Sequence, residues 1–164
     1  MRHRPTLGQV ANILMIVTLC IALWKLFVHD KKSFTYKTGD HIARSIWQTM
    51  PDAKRTVVIA ERSECAYCRA SMPFYAELVR AAGDAGVEVV SVTSDDKATH
   101  QRFLDANHVH VGRIIPLTDT PLKVSATPTL IVLDQSKTVL GAWVGQLSSD
   151  EENKVLHLVR SGSL

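Results

Sequence analysis

The pair Cys65-Ala66-Tyr67-Cys68 constrains this chain more than any other stretch. It follows an apolar run, Thr56-Val57-Val58-Ile59-Ala60, and opens a segment with apolar residues at helical spacing: Cys68, Met72, Tyr75, Val79 and Ala82. Strand, short loop and two cysteines at a helix start is the arrangement that thiol–disulfide chemistry needs. A helix N-terminus carries unpaired N–H groups and a partial positive charge. A thiolate held there is stabilised, its pKa falls, and the nucleophilic form becomes available near neutral pH. Two intervening residues set the second sulfur one turn on, close enough to form a disulfide and deeper against the protein. The spacing makes Cys65 the attacking thiol and Cys68 the resolving one. Half of a zinc site is the bland alternative. A closed structural site needs four ligands, and the chain has no second CxxC and no HxxxH. A CxxC beside a βαβ pattern reads as redox.

Around the pair the patterning is α/β. A strand is expected over Arg55–Glu61 and a helix from the pair to about Ala82, with Gly83 and Gly86 flanking its end. Val87–Val92 is a β-branched run that reads as a buried parallel strand. Ser94-Asp95-Asp96 supplies a cap and first-turn acids for a helix to about Asn107, with Phe103 and Leu104 inward. Thr118-Asp119-Thr120-Pro121 reads as a second cap with proline in the first turn of a short helix, ending by Val124–Ala126. Thr129–Leu133 and Thr138–Val144 form a hairpin through Asp134-Gln135-Ser136-Lys137. Ser148 with Glu151, and Ser149 with Glu152, have capping-box spacing ahead of a closing helix with Val155, Leu158 and Val159 on one face. The order βαβα(α)ββα predicts a mixed sheet covered by helices on both faces.

The N-terminus is a separate unit. Residues 7–24 are 18 in number and carry no charge, about 27 Å as helix. Leu26-Phe27-Val28 extends the run past Lys25, whose stem can snorkel, and Trp24 suits an interface. That length spans a bilayer. No A-x-A-like cleavage triplet follows it, so a retained anchor is expected. Arg2 and Arg4 on one side and Lys31, Lys32 and Lys37 on the other leave orientation unsettled by charge. The expected division is a membrane anchor at 1–28, a polar linker at 29–37 and one domain at 38–164. Ile42, Ile46, Trp47 and Met50 begin that domain, with Trp47 read as core. A net charge of +3, with no basic stripe interleaved with aromatics, excludes a dedicated nucleic-acid binder. Three cysteines make no disulfide scaffold, and Cys20 reads as a small hydrophobe in the apolar stretch.

With the cysteine pair stand Pro73, five residues after Cys68, the segment Ala126-Thr127-Pro128-Thr129-Leu130, and Gly145. Together these resemble the thioredoxin superfamily over residues 38–162, most closely its membrane-anchored TlpA/ResA-like redoxins. The resemblance implies a thioredoxin-like fold with a cis Thr127–Pro128 bond facing the cysteines. It implies a thiol–disulfide oxidoreductase without cofactor or metal, acting on protein disulfides or dithiols outside the cytoplasm, as in a periplasm. Thr127, Pro128 and Tyr67 would contact substrate, and a membrane-embedded partner would donate reductant. Two departures stand out. Glu64 and Tyr67 occupy positions where the family often has Trp and Pro, and Ile59 stands where thioredoxin has a buried acid. Proton transfer then falls to Glu61 or Glu64, which otherwise read as solvated loop acids.

Two rival classes follow. A Sco-like copper chaperone would add His100, His108 or His110 to the thiols, but that family carries CxxxC. A peroxiredoxin-like peroxidase has Thr three residues before its reactive cysteine, and this chain has Arg62.

Overall fold

The computed structural model describes Asn12 and residues 15–19, 35–42, 51–120 and 122–162. The chain divides into two compact units, Met1–Ser33 and Phe34–Leu164. In the first, Asn12 and residues 15–19 are helical. Among the described residues no helix is long and apolar enough to cross a membrane. The rest of the expected anchor at 1–28, with Cys20 and Trp24, lies outside the described residues, as do Ile46, Trp47 and Met50.

The second unit is built on a five-stranded sheet. Its strands are β1 (Arg55–Ala60), β2 (Glu88–Thr93), β3 (Arg113–Pro116), β4 (Thr129–Asp134) and β5 (Val139–Val144), in spatial order β3-β2-β1-β4-β5. Strands β1, β2 and β3 run parallel, whereas β4 is antiparallel to both β1 and β5. The helices are α1 (Ala66–Asp84), α2 (Lys97–Ala106) and α3 (Ser149–Ser161). Two successive crossovers, β1-α1-β2 and β2-α2-β3, step the same way along the sheet, so right-handed connection sets α1 and α2 on one face.

Period-two alternation sends the side chains of β1 and β4 to opposite faces. Val57, Ile59, Leu130 and Val132 join Met72, Leu78, Leu104 and Leu158 in one buried cluster beneath the helices. Val58, Ala60, Ile131 and Leu133 join Val90, Val92, Ile42 and Leu122 in a second, on the other face. Helices α1, α2 and α3 all feed the first cluster. The second is covered, among the described residues, by Tyr36, Ile42 and the segment from Leu117 to Val124. The expected mixed sheet flanked by helices is thus present; residues 43–50, ahead of β1, lie outside the described residues.

Two local expectations are corrected. The sequence reading omits β3, a strand of four residues that ends on Pro116 at the sheet edge, where the missing N–H breaks no ladder. The short helix expected after Thr120 is absent from residues 122–125. A 3-10 turn, Leu117–Asp119, stands before it instead. Thr120 precedes a proline and is extended, φ −125° and ψ 141°, as the proline ring requires of its predecessor. Leu122 then drops into the second cluster.

The closing hairpin and helix follow their local chemistry. Asp134 Oδ1 accepts the Thr138 N–H at 2.8 Å, and Lys137 turns the chain at φ 59°. Glu151 accepts from the backbone N–H and the hydroxyl of Ser148, both at 2.8 Å, completing the expected capping box. Ile131 is fully buried in the central part of β4. Ile131→Ala is expected to cost about 2–5 kcal/mol of stability, read as a lowered urea midpoint with unchanged slope.

Candidate active site

Strand β1 delivers the chain to the site. The Glu61 N–H continues the parallel ladder by donating to Val92 O at 3.0 Å. The loop 62–64 is then clamped through Ser63. Its N–H donates to Asp95 Oδ2 at 2.7 Å, and its carbonyl accepts from the Arg69 guanidinium at 2.9 Å. The Cys65 N–H donates to Arg62 O at 3.2 Å. Held this way, Cys65 is the N-cap of α1, and its Sγ accepts the Cys68 N–H at 3.2 Å. No acidic residue occupies the first turn, so nothing there offsets the positive end of the helix.

Thr127 meets the pair from the other side of β1. Antiparallel register sets Thr129 opposite Ala60, so the start of β4 lies beside the end of β1. The Thr127–Pro128 peptide is cis, and the Thr127 carbonyl accepts from Cys65 Sγ at 3.4 Å. Pro128 is buried, and its carbonyl accepts the Gly145 N–H at 2.8 Å. Gly145 makes that bond at φ 92°, a conformation side chains disfavour. Tyr67, between the cysteines, is 64% exposed.

The two thiols are both free and differ sharply. Burial raises the Cys65 pKa, but hydrogen bonds with Cys68 and Thr127 and from the Cys68 and Tyr67 backbone outweigh it. The net effect holds this thiol below its ordinary value. Cys68 has no exposed surface, and burial, then its hydrogen bond with Cys65, pushes it up to about 12. One partly exposed sulfur is poised to ionise, and one buried sulfur is kept protonated.

Glu61 is corrected. Far from a solvated loop acid, it is completely buried, because residue 61 still follows the inward alternation of β1. It sits in a network that the sequence reading missed. Ser91 on β2 donates its hydroxyl to Glu61 Oε1 at 3.1 Å and shares a 2.7 Å bond with His100 Nε2. His100 lies 3.7 Å from Glu61 Oε1 and 3.5 Å from Asp95 Oδ2, the carboxylate that holds Ser63. Burial, then the charge of Glu61, raises the pKa of buried Tyr75, and both sulfurs act on that phenol too. Tyr75 therefore stands within electrostatic reach of Glu61 and the cysteines. Ser91, a polar residue flanked by the valines Val89, Val90 and Val92, was the available signal. Glu64 is exposed, as a solvated acid would be.

The histidines of the copper alternative do not converge, since His100 is buried and His108 and His110 are exposed. Among the described residues no group of three His, Cys, Asp or Glu could hold a metal ion.

The model of the AhpC/TSA family matches residues 29–145. No curated protein sequence matches the chain. Among solved structures, the chain is similar to a DsbF homologue from Corynebacterium diphtheriae, with 22% identity and a TM-score of 0.56 over 77% of this chain and 92% of that one. It is similar to a thiol:disulfide interchange protein of the thioredoxin family from Chlorobium tepidum, with 17% identity and a TM-score of 0.55 over 79% of this chain and 94% of the other. Peroxidoxin BcpB from Mycobacterium tuberculosis is also similar, with 15% identity and a TM-score of 0.57 over 76% and 97%. At these identities the likeness establishes the fold, which is thioredoxin-like.

Two outcomes follow from the geometry. Iodoacetamide near pH 7 should alkylate Cys65 and spare Cys68 in the reduced protein. A lowered pKa raises the thiolate fraction, so the Cys65 rate should level off at a lower pH than that of a free thiol, by mass spectrometry across a pH series. Ser91→Ala strands Glu61 Oε1 and His100 Nε2, and should lower stability by about 1–3 kcal/mol in denaturant titration.

Proposed function

The chain belongs to the AhpC/TSA family, and on that footing we propose that it is a thiol–disulfide oxidoreductase acting on proteins through Cys65 and Cys68. Family membership supports redox activity in general. The observation that carries the finer reading is the contrast between the two sulfurs, one lowered and partly exposed, the other buried and raised to about 12.

In this scheme the Cys65 thiolate attacks one sulfur of a client disulfide. A Cys65–client bond forms, and the client's second sulfur leaves as a thiolate. Cys68 then loses its proton and attacks Cys65 Sγ, which forms the Cys65–Cys68 disulfide and releases the client dithiol. Two electrons pass to the client, and the Cys68 proton neutralises a departing thiolate. Run backwards, the same steps oxidise a dithiol. Glu61 or Glu64 takes up the Cys68 proton in this scheme; the complete burial of Glu61 behind the loop supports Glu61 over the exposed Glu64. The backbone of Thr127 and Pro128 offers an edge along which an extended client segment adds like a strand, with Tyr67 as a flat contact.

Residues 1–28 serve as a retained membrane anchor and 29–37 as its tether. They hold the domain of 38–164 in an extracytoplasmic space such as a periplasm, where a membrane-embedded partner returns electrons to the pair. The apolar run of residues 7–24 supports this reading.

Cys68→Ser removes the resolving thiol. It should accumulate protein mixed disulfides through Cys65, seen as reductant-sensitive adducts on gels, while Cys65→Ser should form none. Fast peroxide consumption by the wild type, with no adducts in Cys68→Ser, would select the peroxidase reading instead.

A further inference from the structure

A cleft of about 280 Å³ is lined by Arg62 and Thr127, both of which hydrogen-bond to Cys65 through their carbonyls. It lies beyond the carboxyl ends of the parallel strands β1 and β2, where crevices in such sheets take ligands. Arg62 and Ser94 form one wall, from the loops that follow those strands. Leu117, Val124, Ser125 and Thr127 form the other. Thr127 belongs to both places, since its carbonyl accepts from Cys65 Sγ at 3.4 Å. Whatever fills the cleft therefore lies one residue's width from the attacking sulfur, across Thr127. Its volume falls just below the range of about 300–1,000 Å³ typical of small-molecule sites, and suits one side chain better than a cofactor.

The charge of the lining is one-sided. Arg62 is its single charged residue, and the hydroxyl-bearing side chains of Ser94, Ser125 and Thr127 supply donors. The Arg62 side chain is exposed and makes no hydrogen bond or ion pair to a described residue. The nearest acid in sequence to Ser94, Asp95, is turned away and occupied. Its carboxylate accepts the Ser63 N–H at 2.7 Å and faces His100 at 3.5 Å. Glu64, two residues from Arg62, is exposed and does not line the cleft.

We infer that this cleft receives an acidic side chain flanking the client's reactive disulfide, with Arg62 as the residue that selects it. The inference rests on the disulfide-exchange reading and names its substrate class: polypeptides with Asp or Glu beside the cysteine. The carboxylate meets the guanidinium and nearby hydroxyls, which brings the client sulfur in line with Cys65. The chemical step itself is unchanged.

Three disulfide-linked model peptides, alike except for Glu, Gln or Lys next to the cysteine, test this against the full reduced chain in single-turnover kinetics. At low salt the wild type should reduce the Glu peptide about tenfold faster than the Lys peptide, and added salt should narrow the gap. Arg62→Gln should shrink the ratio, and Arg62→Glu should abolish or invert it. Taking the Glu-to-Lys ratio cancels any change in the intrinsic reactivity of Cys65, which iodoacetamide reads separately. A ratio near one in the wild type, or the same ratio in both variants, overturns the inference while leaving disulfide exchange intact. Glutathione disulfide reduced as fast as the Glu peptide overturns the polypeptide assignment. If the Gln peptide is not reduced at all, the exchange reading itself fails.

Discussion

The bond from the Cys68 N–H to Cys65 Sγ, 3.2 Å long, is the contact on which the site depends. It makes a sulfur the cap of a helix that runs from Ala66 to Asp84. The first turn of any helix has amide donors to satisfy, and here the acceptor is also the nucleophile. Satisfying the backbone and lowering the thiol pKa are thus one interaction. The surrounding loop exists to hold that geometry: Ser63 is fixed at both its N–H and its carbonyl, and Arg62 O takes the Cys65 N–H. The same turn buries Cys68 and raises it, so the contrast between the sulfurs comes from a single bend of the backbone.

Behind that loop the protein accepts an energetic cost. A buried carboxylate is expensive unless it is paired and hydrogen-bonded. Glu61 keeps Oε1 in contact with Ser91 and His100, while Oε2 has no hydrogen-bond partner. A wholly apolar packing of this seam between β1, β2 and α2 would avoid the penalty. What the polar seam provides is continuity: Asp95, which holds Ser63, also faces His100. The loop carrying the reactive sulfur is thereby joined by hydrogen bonds and close charges to the interior of the sheet.

Much of the frame was legible in the sequence, for physical reasons particular to each element. Residues 56–59 are all β-branched and residues 89–93 are so except for Ser91, near-continuous runs that parallel strands buried on both faces require. The helix after the cysteines showed its apolar stripe, and Ser148 with Glu151 announced their capping box. Strand β3 escaped because four residues, with Ile114 and Ile115 buried between exposed neighbours, are too short for a period to show. The helix sought near Thr118 failed because a cap signal is local, while the proline after Thr120 fixes an extended backbone. At the site, adjacency of Cys65 and Cys68 was readable from spacing alone. The burial of Glu61 was not, since it depends on Ser91 and His100, 30 and 9 residues apart in their hydrogen-bond partnerships.

The antiparallel pairing of β4 with β1 has one more consequence. Register alone brings Thr127 to Cys65, although 62 residues separate them along the chain. Everything between them, two helices and two strands, loops out and returns to a fixed landing point. Insertions or deletions in that excursion leave the meeting of carbonyl and sulfur untouched, provided β4 still zips against β1. Length in this part of the protein is free to drift while the chemistry stays put.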